Sequence, residues 1–221
     1  MLSAITGVFS LLYIPSKFIV PGDATATARN IVAGELTYRM GIFSGLASSI
    51  LFLFMVLSLY NLLKDVDRKQ ARLMVTLVAV MVAAGVASLL NQIAPLILLS
   101  GADYLSVFTK PQLDALALGF LKLDNSLAFV AMAFWALWLF PFGILVIKSG
   151  FFPKLLGVLL IVGCFAYLAV SFTGIVFPAY RQIVDQIMLP FYAVGELVMI
   201  FWLLIKGAKA PLSPNGIQRD A

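Results

Sequence analysis

Residues 121–154 read LKLDNSLAFVAMAFWALWLFPFGILVIKSGFFPK, and the reading of this stretch decides the fold. Lys122, Asp124 and Asn125 open it, Lys148 and Lys154 close it, and residues 126–147 carry no charge. At 1.5 Å of rise per residue the uncharged run makes about 33 Å of helix, enough to cross a hydrocarbon core of roughly 30 Å. It reads as one transmembrane helix with a polar opening and a basic exit.

The remainder of the chain has the same character. Of 221 residues, 62% are hydrophobic and 11% charged, whereas charged residues make up about a quarter of an ordinary soluble domain. With a mean hydropathy of +1.06, the chain is expected to be a multi-pass membrane protein whose first partner is the lipid bilayer. Its net charge of +5 lies in short loops beside apolar runs, where it sets topology rather than attracting nucleic acid, so no nucleic-acid partner is expected. Histidine is absent and the single cysteine is Cys164. The commonest general base and metal ligand are therefore missing, and no intrachain disulfide can form. The sequence points to no metal and no cofactor. It also lacks a Walker, Rossmann or Gly-x-Ser-x-Gly frame, which weighs against an enzyme.

Residues 1–14 are apolar but make only about 21 Å of helix before Pro15 and Lys17, so the first span is expected to be clipped. A signal peptide cut near Ala24-Thr25-Ala26 is the rival reading; it lacks a basic segment ahead of the apolar part. Pro21-Gly22-Asp23 is turn chemistry, with Asp23 placed to cap a helix from Ala24 to Ala33. A second span is expected from about Met40 to Leu63. Its Gly41, Ser44, Gly45, Ser48 and Ser49 are small enough to let another helix approach closely. Residues 64–72 form a basic loop, and a third span runs from Leu73 to about Leu90. The fourth helix starts at Pro111, well outside the membrane, and is kinked at Pro141. A fifth span over residues 155–177, a return loop over 178–185 and a sixth span ending at Lys206 complete the pattern. The expected fold is an all-α, polytopic bundle of six transmembrane helices in one domain, residues 1–209, followed by a disordered tail, 210–221.

Nine of the fifteen lysines and arginines fall in 64–72, 148–154 and 206–219. By the positive-inside rule these segments, and both termini, are cytoplasmic. Mapped for depth, Glu35, Arg39, Asn91, Gln92, Lys122, Asp124, Asn125 and Arg181 lie near the outer interface with Asp185, and Glu196 lies near the bilayer midplane. Interfacial positions are polar in every membrane protein, so the outer set first reads as boundary chemistry. As a ligand site, it would form a polar funnel for a small molecule or lipid. Glu35 and Arg39 stand at i, i+4 with the acid first, the spacing of a helix-face ion pair. Glu196 demands more, because a carboxylate at that depth costs several kcal/mol unless protonated or paired. It is expected between helices, facing the same interior as Asp124 and Asn125. Three functional classes follow. A binding or transport protein with an outward-facing polar cavity is preferred over a membrane enzyme acting on a lipid or quinone-like substrate, and over an accessory subunit that only packs.

The runs SLLYIPSKFIVPGDATATARNI, LLSGADYLSVF, FWALWLFPFGILVIKSGFFPKLLG and GELVMIFWLLIKG resemble the bacterial membrane family known as domain of unknown function 4386. The likeness covers about residues 8–207. It implies a bacterial, multi-pass, inner-membrane protein and no particular reaction. Two departures stand out: the family's first helix is longer and basic-headed, and a histidine is common in the setting that here reads Leu123-Asp124-Asn125. A histidine-based mechanism is thereby put in doubt for this chain.

Overall fold

A computed structural model describes residues 2–206, with side chains from residue 5 onward. The tail expected to be disordered lies outside the described residues, as do Lys209 and Arg219. Among the described residues the secondary structure is helical, without a strand. The chain opens with α1 (Leu2–Val8), a π turn (Phe9–Tyr13) and α2 (Ile14–Phe18), and continues with α3 (Ala24–Ala33) and α4 (Glu35–Leu63). Then follow α5 (Arg68–Leu98), α6 (Lys110–Ser149), α7 (Lys154–Val176) and α8 (Arg181–Ile205). The five helices from α4 to α8 are long and apolar enough to cross a membrane, and Ile5–Phe18 is a shorter apolar helix where the sequence predicts a clipped one.

The helices overrun their predicted spans. α4 begins at Glu35 rather than Met40, α5 continues through Asn91, Gln92 and Pro95, and the return loop shrinks to a 3₁₀ turn, Pro178–Tyr180, before α8 starts at Arg181. Hydropathy marks only the part of a helix that sits in hydrocarbon, whereas Glu, Arg, Lys and Gln propagate a helix well beyond it. The helix holding Pro141 is continuous from Lys110 to Ser149.

The basic loop predicted over 64–72 is also shorter, because Asp67 caps α5. One carboxylate oxygen accepts from the amides of Lys69 and Gln70 at 3.2 Å each, satisfying donors that a helix start leaves open. The other accepts from Lys148 Nζ at 2.7 Å, tying the loop to the end of α6. Lys148, ahead of the Gln70 amide, holds the Asp67 carboxyl below the usual aspartate value. A depressed folded pKa stabilises above the unfolded pKa, and that contribution is lost as pH falls through the folded value. Asp67→Asn keeps a capping side chain and removes the charge, so it should lower the thermal midpoint modestly at neutral pH. The gap to wild type should close as pH falls through and below the ordinary aspartate pKa of about 3.9. A gap that stays constant across that range would show that the ion pair contributes nothing.

The chain divides into two compact units, and α4, α5 and α6 each supply a segment to both. The first comprises residues up to Val56 with Val78–Met132. Here the N-terminal helix packs on the small-residue face of α4. Gly41 lies against Ile14, a Cβ added at Gly45 would come within 2.8 Å of Ser10 Oγ, and Ser44 Oγ donates to the Thr6 carbonyl at 2.9 Å. The predicted close approach is thus made by the short N-terminal helix. Asp23 caps α3 through the Ala26 amide at 2.8 Å, and Gly22 takes the positive φ of 80° that the preceding turn requires. Fully buried Thr27 accepts from the Val20 amide and donates to the Asp23 carbonyl, knitting the turn to α3. Ile14, Phe18, Ile31, Tyr38, Leu96 and Leu121 form the core beneath it.

The second unit comprises Leu57–Leu77 and residues from Ala133 onward. Glycines again set its closest approaches: Gly143 of α6 faces Gly157 of α7, and Gly195 of α8 faces the Leu159 carbonyl. Small residues let backbones meet where lipid and side chains are equally apolar.

Candidate functional site

In each unit a carboxylate takes hydrogen bonds from uncharged side chains of neighbouring helices. In the first, α5 presents Ser88 and Gln92 one turn apart on one face, and α6 presents Asp124 to them. Ser88 Oγ donates to Asp124 Oδ1, and Gln92 Nε2 donates to Oδ2 at 2.9 Å. The buried Tyr38 of α4 donates its hydroxyl to the Gln92 carbonyl at 3.1 Å, and its ring meets Phe18 edge-on with centroids 5.4 Å apart. Three helices therefore fix the Gln92 turn. An ionised carboxylate offers about four acceptor positions. The two described donors leave room on Asp124 for a further donor, and neither neutralises its charge.

In the second unit Glu196 of α8 is half-buried. Trp135 Nε1 of α6 donates to Oε1 at 2.7 Å and the Tyr167 hydroxyl of α7 donates to Oε2 at 3.2 Å. Tyr167 stacks on Tyr192, ring centroids 4.2 Å apart, and the Tyr192 hydroxyl donates to Asp185 at 2.9 Å. Trp135 also meets Trp138 edge-on, with ring centroids 6.1 Å apart. Trp135 is a hydrogen-bond donor as well.

The other predicted residues are more scattered. Glu35 and Arg39 pair with each other at 2.7 Å, as their spacing predicts, but both are exposed, with side-chain accessibilities of 51% and 56%. Lys122, Asn125 and Arg181 are exposed and Asn91 is half-buried. Of the nine, the structure brings Gln92 and Asp124 into direct contact and pairs Glu35 with Arg39; Glu196 takes its partners inside its own unit. Ser88, Tyr38 and Tyr167 are the participants that sequence reasoning missed. Ser88 carries one usable signal, its position four residues before Gln92. Asp114 was also missed: it is buried and paired with the exposed Lys110 at 2.9 Å.

A groove of about 600 Å³ runs along α6 in the first unit, lined by Phe108, Gln112, Leu116, Phe120 and Leu123 among others. Apart from Gln112, these named walls are apolar. A smaller groove in the second unit is lined by Leu57, Tyr60, Arg72, Val75 and Thr76. None of the nine predicted residues lines either groove.

An all-helical chain with five helices long and apolar enough to cross a membrane, holding hydrogen-bonded carboxylates between helices, has the makings of a transmembrane helical protein. Within that class the chain belongs to the family described as domain of unknown function (DUF4386), whose profile matches residues 1–207. No curated protein and no solved structure matches it.

Proposed function

We propose that the chain is a six-span bacterial inner-membrane protein, with both termini cytoplasmic, that binds or transports a small, positively charged molecule through an outward-facing polar cavity. The observation that supports this reading most is Asp124, oriented by Ser88 and Gln92 but neutralised by neither. Two neutral donors hold the carboxylate in place and leave its charge for a cationic group. An ammonium ligand would fill its remaining acceptor positions. Of the other residues of the candidate set, Glu35, Arg39, Asn91, Lys122 and Asn125, which lie in the same unit, would line the approach.

The test is thermal stabilisation of the purified protein by methylammonium, ethanolamine and lysine, compared between wild type and Asp124→Asn. The amide keeps the shape and can still accept from Ser88, so the variant should fold. At least one probe should raise the midpoint of wild type and lose most of that effect in Asp124→Asn. Equal shifts in both proteins, or none in either, would end this reading. The apolar groove along α6 favours a second one, a protein acting on a lipid or quinone-like substrate. Stabilisation by a short-chain quinone or phospholipid, indifferent to Asp124→Asn, would favour that alternative.

A further inference from the structure

We infer that the face of α8 bearing Asp185, Tyr192 and Glu196 is a proton path, with Glu196 as the proton-exchanging group at its inner end. The path goes beyond the ligand reading at Asp124 and does not depend on it. The three residues are spaced by seven and four, which at about 100° per residue places them within roughly 20° of one line along the helix. Asp185 stands one turn inside the start of α8, about 16 Å along the axis from Glu196. Between them stand two hydrogen bonds joined by a ring stack, with a gap between the hydroxyls for water to bridge: Tyr192 hydroxyl to Asp185 at 2.9 Å, Tyr192 ring on Tyr167 ring at 4.2 Å, Tyr167 hydroxyl to Glu196 at 3.2 Å.

The donor chemistry supports exchange. An indole N–H can only donate, so Oε1 of Glu196 accepts from Trp135 whether or not the acid carries a proton. The proton therefore resides on Oε2, and there the Tyr167 hydroxyl can turn from donor to acceptor. Both states of Glu196 keep two hydrogen bonds.

Proton movement balances without any further reactant but water. Asp185 takes a proton from solvent and passes it to the Tyr192 oxygen as Tyr192 releases its own. A water carries that proton to Tyr167, which in the same manner delivers one to Glu196. Each tyrosine gains one proton and gives one. The groups packed around Glu196 do not compete. α6 contributes Trp135, which does not titrate, α7 contributes Tyr167, and α8 contributes Tyr192, whose hydroxyl holds Asp185.

The test is a downward pH jump on the full-length protein in lipid nanodiscs, followed by time-resolved infrared difference spectroscopy in the C=O stretching region of protonated carboxyls. A band should rise that is absent in Glu196→Gln and displaced in Glu196→Asp. Tyr192→Phe keeps the ring stack and deletes only the hydroxyl, and should slow the rise by about a hundredfold, the low end for a positioned proton-transfer group. Asp185→Asn should slow it too. No band assignable to Glu196, or a band rising at the wild-type rate in both variants with circular dichroism unchanged, would overturn the inference.

Discussion

Gly157→Val should force α6 and α7 apart and cost the second unit about 1–3 kcal/mol, the usual scale of overpacking, and more if the helices cannot separate. A Cβ at Gly157 would lie 2.6 Å from Ile147 Cγ1 and 3.1 Å from the Ile147 backbone nitrogen. On the other side, a Cβ at Gly143 would lie 2.7 Å from the Gly157 carbonyl oxygen and equally close to Ile161 Cγ1. Isoleucine side chains can rotate away, but a carbonyl inside a helix cannot. In a membrane the loss is amplified, because apolar helices are held together by close packing rather than by hydrophobic burial. Gly119 is the internal control: a Cβ there meets nothing within 4 Å, so Gly119→Ala should be neutral or slightly stabilising through helix propensity. Both variants can be compared by SDS-induced unfolding in bicelles. If Gly157→Val unfolds at the wild-type midpoint, the close approach of α6 and α7 is not a source of stability.

Glu196→Leu should cost about 1–2 kcal/mol, the scale of interhelical hydrogen bonds in membranes, and Glu196→Gln close to nothing. Leucine fills the space but leaves the Trp135 indole and the Tyr167 hydroxyl without the acceptors they now use. Glutamine keeps an acceptor for Trp135 and offers Tyr167 an amide, so it preserves the junction of α6, α7 and α8. The pair of variants separates the structural share of Glu196 from any share that needs an ionisable group. If leucine is as stable as wild type in the same unfolding assay, the hydrogen bonds to Glu196 contribute no net stability. A large loss in glutamine would mean that the charge itself holds the helices.

The outlines of the long helices, the short first apolar helix, the Asp23 cap and the Glu35–Arg39 pair are legible in the residues because each depends on neighbours a few positions away. Bilayer thickness and the fixed rise of a helix convert an uncharged run into a span, and a carboxylate at a helix start has only the next three amides to bind. The glycines and serines of α4 signalled a close approach for the same reason, though not which helix would make it.

The partners of Asp124 and Glu196 were not legible. Ser88 lies 36 residues from Asp124, Trp135 lies 61 and Tyr167 29 from Glu196, and Tyr38 lies 54 from Gln92. Which side chains meet across such distances depends on the rotation of each helix about its axis. In a soluble bundle the apolar stripe would reveal that rotation. Here lipid and neighbouring helix are equally apolar, so hydropathy is nearly uniform around α4 to α7 and carries no mark of the inward face. Only the packed helices show that Gln92 turns toward Asp124 while Asn125, one residue on, turns away to an exposed position. Pattern and bilayer geometry suffice to say which helices are long and apolar enough to cross a membrane; the meeting of small residues between helices decides what those helices bring together.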